Sequence, residues 1–124
     1  MSLDMYSEII LDHFKNPHNF GRLEGADAHA MDYNPSCGDE VELFLKVKDG
    51  KIFDVKFMGR GCAISQASAS MLTDAIKGMK ASDVSKLDGK FVTNLLGVEF
   101  SPMRLKCAHL SVGVLKLASL NIKE

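Results

Sequence analysis

The sequence predicts an α+β domain, an antiparallel hairpin packed against helices, and three patterns carry that prediction. Val41, Leu43, Leu45 and Val47 alternate with Glu42, Phe44, Lys46 and Lys48, and Phe53, Val55 and Phe57 alternate with Asp54, Lys56 and Met58. That is the period of strands with one apolar face. Asp49-Gly50 between the two runs is a two-residue hairpin signal. On either side of the hairpin, apolar residues recur three or four apart, the period of a helix. A chain of 124 residues is the length of one domain with one modest core, so 1–124 is read as a single domain.

In chain order, Leu3, Tyr6, Ile9, Ile10 and Phe14 mark one face of a first helix, which Asn16-Pro17 stops. His13 and His18 flank that stop and are expected to face solvent or cap carbonyls. Residues 26–34 are weakly patterned and fit a first strand. Asn34-Pro35-Ser36-Cys37-Gly38-Asp39 is dense in turn formers. After the hairpin comes a helix with Ile64, Ala67, Met71, Leu72, Ala75, Ile76 and Met79 on its buried side. Ala and Ser fill its first half and allow close approach of another backbone. Ser82 is expected to cap a short helix through Leu87, and Asp88 another through Leu96, closed by Gly97. Ser101-Pro102 reads as the cap and first residue of a last helix carrying Leu105, Ala108, Val112 and Leu115.

Composition narrows the function. The chain is 46% hydrophobic and 25% charged with a formal net charge of −1, ordinary for a soluble globular protein. Its 15 Lys and Arg are scattered, with no basic block for nucleic acid. No apolar run reaches the roughly 18 residues of a membrane span, and the start lacks a signal-peptide pattern. The expected location is the cytoplasm, where thiols stay reduced. An odd count of 3 cysteines also argues against a disulfide framework.

The chemistry gathers around Gly59-Arg60-Gly61-Cys62. A thiol at a strand-to-helix junction faces unsatisfied N–H groups and the positive end of the helix dipole, and both favour the thiolate that binds metal or attacks sulfur. Folding about Asp49-Gly50 brings the turn before Val41 beside the turn after Phe57. Cys37 and Cys62 therefore meet at one end of the hairpin. Asp39, two residues from Cys37 across a flexible glycine, is an oxygen donor for the same ion or an ordinary turn residue. Cys107 lies two turns into the last helix, on an apolar stripe, where a thiol serves equally well as core filler. Nothing local says that it joins the others. There is no Cys-x-x-Cys pair. His109, two residues past Cys107, points to another helix face. Arg60 and Lys106 are solvated charges or offset the charge of a thiolate site.

At these residues the chain resembles a known family. Asp12-His13-Phe14-x-Asn16-Pro17-x-Asn19-x-Gly21, Asn34-Pro35-Ser36-Cys37-Gly38-Asp39, Gly59-x-Gly61-Cys62 and Arg104-Leu105-Lys106-Cys107-Ala108 are similar, in order, to motifs of the U-type iron–sulfur cluster assembly proteins (IscU, SufU and the NifU N-terminal domain). The resemblance covers nearly the whole chain. It implies a SufE/IscU-like α+β fold, a three-stranded antiparallel sheet packed against about four to five helices. It also implies that Cys37, Asp39, Cys62 and Cys107 converge as metal and cluster ligands, with the three cysteines as persulfide acceptors. Lys106 stands where IscU-type members carry His, so histidine ligation there is lost. The Arg-x-Lys-Cys-Ala and Gly-Cys-Ala-Ile-Ser patterns resemble the SufU branch, while the short interval from Cys62 to Cys107 resembles the IscU layout.

The function so implied is a scaffold rather than a conventional enzyme. It receives sulfur from a pyridoxal-phosphate cysteine desulfurase, assembles a labile 2Fe–2S cluster on three Cys and one Asp, and transfers it to apo iron–sulfur proteins. The alternative is a zinc-dependent sulfurtransferase that relays sulfur and stimulates a SufS-type desulfurase. Without the family, the residues also fit a structural zinc module.

Overall fold

The computed structural model of the chain describes residues 3–35, 38–97 and 100–122. In order its elements are α1 (Leu3–Lys15), β1 (Ala28–Asn34), β2 (Asp39–Lys48), β3 (Lys51–Arg60), α2 (Ala63–Ile76), α3 (Ala81–Val84), α4 (Gly89–Leu96) and α5 (Pro102–Ser119). The predicted hairpin is β2–β3. Asp49 and Gly50 both have positive φ, 55° and 75°, as a type I′ turn requires. The weakly patterned stretch becomes β1 because β2 offers it a pairing edge, in antiparallel register from Ala28↔Leu45 to Asn34↔Asp39. The sheet has three strands in the order β1-β2-β3.

The alternation expected in β3 fails at one residue. Lys46 pairs with Asp54 and Val47 with Ile52, so Phe53 is the extra residue of a bulge. Ile52 takes the core position at 1% exposure, while Phe53 is 62% exposed with Lys48 Nζ 5.6 Å from its ring. Phe44, on the outer face, is nonetheless buried. The Arg22 guanidinium at 5.3 Å and the His29 ring at 4.9 Å cover it.

Helix α2 lies on the inner face of the sheet and touches α1, α4, α5, β2 and β3. Every residue from Ile64 to Ser70 is buried. Its Ala and Ser side chains let these neighbours come close, and its hydroxyls find partners. Ser68 Oγ bonds the Ser65 carbonyl at 3.0 Å and meets Ser111 Oγ of α5 at 3.2 Å. Met71 and Ala75 are only half-buried, at the margin of this contact. The capping expectations hold for the later helices. Asp88 accepts from Phe91 N–H, Gly97 closes α4 at φ 75°, and Ser101 accepts from Arg104 N–H ahead of Pro102. α3 differs, because it starts after Lys80 and ends at Val84. The Ala81 N–H is already bound to the Gly50 carbonyl of the hairpin turn at 2.8 Å, which sets the start of that helix ahead of Ser82.

α1 rests on α2 through a narrower face than its spacing implies. Ile10 is buried, but Ile9 and Phe14 are 48% and 41% exposed. Leu3 and Tyr6 lie outside the residues whose side chains are described. Polar bonds complete the seam. His18 is exposed as expected, while His13 is half-buried against α2, which corrects the expectation for that residue. His13 Nδ1 lies 2.8 Å from Ser70 Oγ, which also accepts the His18 N–H at 2.8 Å. The His18 ring pairs with the Asp74 carboxylate. The small Ser70 side chain lets both histidines reach α2.

Candidate metal centre

Three ligand atoms converge where the hairpin ends. One carboxylate oxygen of Asp39 and the sulfurs of Cys62 and Cys107 all lie within 4.8 Å of one another. Each arrives by a different route. Asp39 is the first residue of β2 and is fully buried. Cys62 is the N-cap of α2, extended at φ −71° and ψ 162°, which turns the chain from β3 into the helix. Cys107 comes from α5 at 5% exposure. The Ser68–Ser111 bond, one turn further along α5, pins that helix to α2, and the fully buried Ala108 leaves room for the approach.

Asp39 and Cys62 are bound to each other twice. Asp39 Oδ1 accepts the Cys62 N–H at 2.7 Å, and the Cys62 thiol donates to Asp39 Oδ2 at 3.5 Å. The carboxylate does for α2 what a capping side chain does for other helices, since Cys62 itself makes no side-chain cap bond. One turn on, Gln66, 5% exposed, donates to the Glu40 carbonyl at 3.3 Å and to Ser65 Oγ at 3.1 Å. The start of β2 and the start of α2 are thus tied at two successive residues.

The donor set fits a borderline-soft cation. Thiolate sulfur and carboxylate oxygen are both zinc ligands, and the three donor atoms here lie within 4.8 Å of one another. Cys37 lies outside the described residues. The structure joins Cys107 to Asp39 and Cys62, as the resemblance implied and the local sequence did not. Among the described residues His109 stays apart. Its ring lies so close to Gly89 that a β-carbon there would sit 2.6 Å from it, and among the described residues its buried Nε2 has no hydrogen-bond partner. Arg60 is turned to solvent and pairs with Glu40 at 3.2 Å. The sequence pattern does not single out Gln66; a polar Gln one turn past Cys62 in an Ala- and Ser-rich stretch is the available signal.

Comparison with known proteins shows the family. The NifU-like N-terminal domain family matches residues 5–124. The chain is 38% identical over 114 residues to an iron–sulfur cluster assembly scaffold protein IscU of Archaeoglobus fulgidus, covering 92% of this chain and 74% of that protein. It is 41% identical over 124 residues to the zinc-dependent sulfurtransferase SufU of Bacillus subtilis, covering 86% and 84%. A crystal structure from Fervidobacterium islandicum, described as a candidate iron–sulfur cluster assembly scaffold protein for the SUF system, superposes with a TM-score of 0.77 at 35% identity over 96% of this chain and 99% of that one. Among the described residues no helix is long and apolar enough to cross a membrane.

Proposed function

We infer the function from the family to which this chain belongs, the NifU-like N-terminal domain family: the protein is an iron–sulfur cluster assembly scaffold. The observation that carries this reading is the convergence of Asp39, Cys62 and Cys107. We take Cys37, two residues before Asp39, as the fourth ligand, and 1–124 as one working domain of the cytoplasm. A pyridoxal-phosphate cysteine desulfurase presents a persulfide. A thiolate of this chain attacks its outer sulfur, the enzyme thiolate leaves, and the persulfide now sits on this chain. Two such sulfurs, reduced to sulfide by an external electron donor, and two irons make the 2Fe–2S cargo. The three thiolates hold iron firmly. The Asp39 oxygen, a harder donor, holds it less so, which suits cargo that is passed on to apo iron–sulfur proteins. The protein acts as a carrier, without a small-molecule substrate of its own.

A second reading is favoured by the likeness to a zinc-dependent sulfurtransferase and by a donor set of thiols and a carboxylate that suits zinc. Here zinc on the same residues keeps the thiolates deprotonated. One cysteine then accepts sulfur and stimulates the desulfurase.

Anaerobic reconstitution with ferrous iron, cysteine and a desulfurase separates the two. A visible chromophore that moves to apo-ferredoxin is the expected result, and Asp39→Ala should lengthen its lifetime. Stimulated turnover by the zinc-loaded protein without a transferable chromophore would make the relay the function. Neither signal would end both readings.

A further inference from the structure

The clamp between Asp39 and Cys62 depends on a residue that touches no ion. Gly61 sits between β3 and Cys62 at φ +136°, a region that side chains rarely enter. A β-carbon there would lie 2.3 Å from Asp39 Oδ1, 2.8 Å from its Cα and 3.0 Å from its Cγ. The first two are closer than β-carbons approach other atoms, and the third is at that limit. Asp39 is fully buried, so its carboxylate has no solvent space into which to retreat. Its Oδ1 fills the place where the side chain of Gly61 would be, and from there reaches the Cys62 N–H at 2.7 Å.

We propose that Gly61 is a positioning residue for the metal centre: by lacking a side chain it seats Oδ1 of Asp39 on the Cys62 N–H, and so leaves Oδ2 as the single oxygen that Asp39 offers an ion. The inference rests on the proposed metal-binding role of Asp39 and Cys62. A carboxylate free at both oxygens could grip an ion with two. One held by a charge-assisted bond from a backbone N–H presents one. The same bond holds the Asp39 carboxylate beside the backbone of Cys62, and Oδ2 lies 3.5 Å from the Cys62 sulfur. Gly61 thereby sets the geometry of a ligand pair that lies on two different elements.

The first test uses the unaltered protein labelled with nitrogen-15, with zinc as the probe. The Cys62 amide proton should resonate downfield in the metal-free form, stay there in the zinc-loaded form, and move upfield in Asp39→Ala. If zinc loading itself shifts it to the Asp39→Ala position, Oδ1 has left the amide for the metal and the proposal falls. The second test is a double-mutant cycle read as zinc affinity against a competing chelator. Gly61→Ala should weaken zinc about ten- to hundredfold, the usual cost of losing a contact that orients a ligand. Asp39→Ala combined with Gly61→Ala should bind no worse than Asp39→Ala alone. Losses that multiply would show that Gly61 acts through general backbone strain, and would overturn the proposal. Gly97→Ala is the strain control, since Gly97 has φ +75° and open space at its β-carbon; it should leave zinc affinity unchanged. If Gly61→Ala does not fold but Gly61→Ala combined with Asp39→Ala does, the clash with Asp39 is the cause and the proposal stands; if neither folds, backbone strain is the cause and it falls. A wild-type protein that binds no zinc or iron would instead refute the metal-site reading, a different failure.

Discussion

Helix α2 is tied to its neighbours by polar groups at both ends, and the two seams differ in burial. At its start, Asp39 and Gln66 are 0% and 5% exposed, and they bind the Cys62 N–H and the Glu40 carbonyl. Toward its other end, Ser70 is buried but is approached by His13 and His18 from α1. His18 and Asp74 there are 48% and 46% exposed. Buried polar groups that lose a partner are costly, so the first seam holds one geometry. Exposed pairs contribute little, so the second is an attachment of modest strength. The rigid seam carries the metal ligands. The weaker one holds a helix that adds Ile10 to the core and shares no ligand.

Substitutions should separate the seams, and the largest effect belongs to the site. Cys62→Ala should lower zinc affinity by more than a hundredfold, beyond the roughly ten- to hundredfold of losing a supporting contact, and chelator competition measures it. A smaller loss would mean that the ion sits elsewhere. Ile10→Ala should cost about 2–3 kcal/mol in urea unfolding yet leave zinc affinity within about twofold, because Ile10 lies on α1 and the ligands lie on β2, α2 and α5. A parallel fall in affinity would join them. Ser70→Ala removes the acceptor shared by His13 and His18 and should cost about 1–2 kcal/mol, with faster amide exchange confined to α1.

The smallest effect is with pH. Burial, and after it the nearby charge of His18, holds His13 below its ordinary 6.5. The Ser70 hydroxyl, which accepts the His18 N–H, can point its own hydrogen at His13 Nδ1 only while that ring is neutral. A depressed histidine means that the unfolded chain takes up the proton first, so stability is full above 6.5 and falls as pH drops below it. Burial raises Asp74, but the hydrogen bonds from His18 and Asn19 outweigh it and hold the carboxyl below 3.8. That contribution is lost only in more acid solution. Denaturant midpoints from pH 7.5 to 5.5 should therefore decline slightly, and His13→Asn should flatten the decline; an unchanged slope would remove His13 from the account.

Much of this was legible because it is local. The Asp49-Gly50 turn, the Asp88 and Ser101 caps and the helical stripes depend on residues a few positions apart. The hairpin also predicted that Asp39 and Cys62 would meet, since equal strands folded at a turn return to one end. Phe53 was misread because a bulge leaves no mark in an alternating run. His13 departs from the expectation because its partner, Ser70, lies on α2, far away in the chain.

Residue identity and local pattern are enough to name the groups with the chemistry, two thiols and a carboxylate beside glycines and a third thiol on a helix, and the stretches that form most of the strands and helices. Tertiary structure alone decided that Cys107 joins Asp39 and Cys62. A helix carries its own hydrogen bonds wherever it docks, and only the fit of α5 against the small side chains of α2 brings that sulfur to the site. It also decided that Gly61 matters, because the space a missing side chain leaves has meaning only once Asp39 fills it.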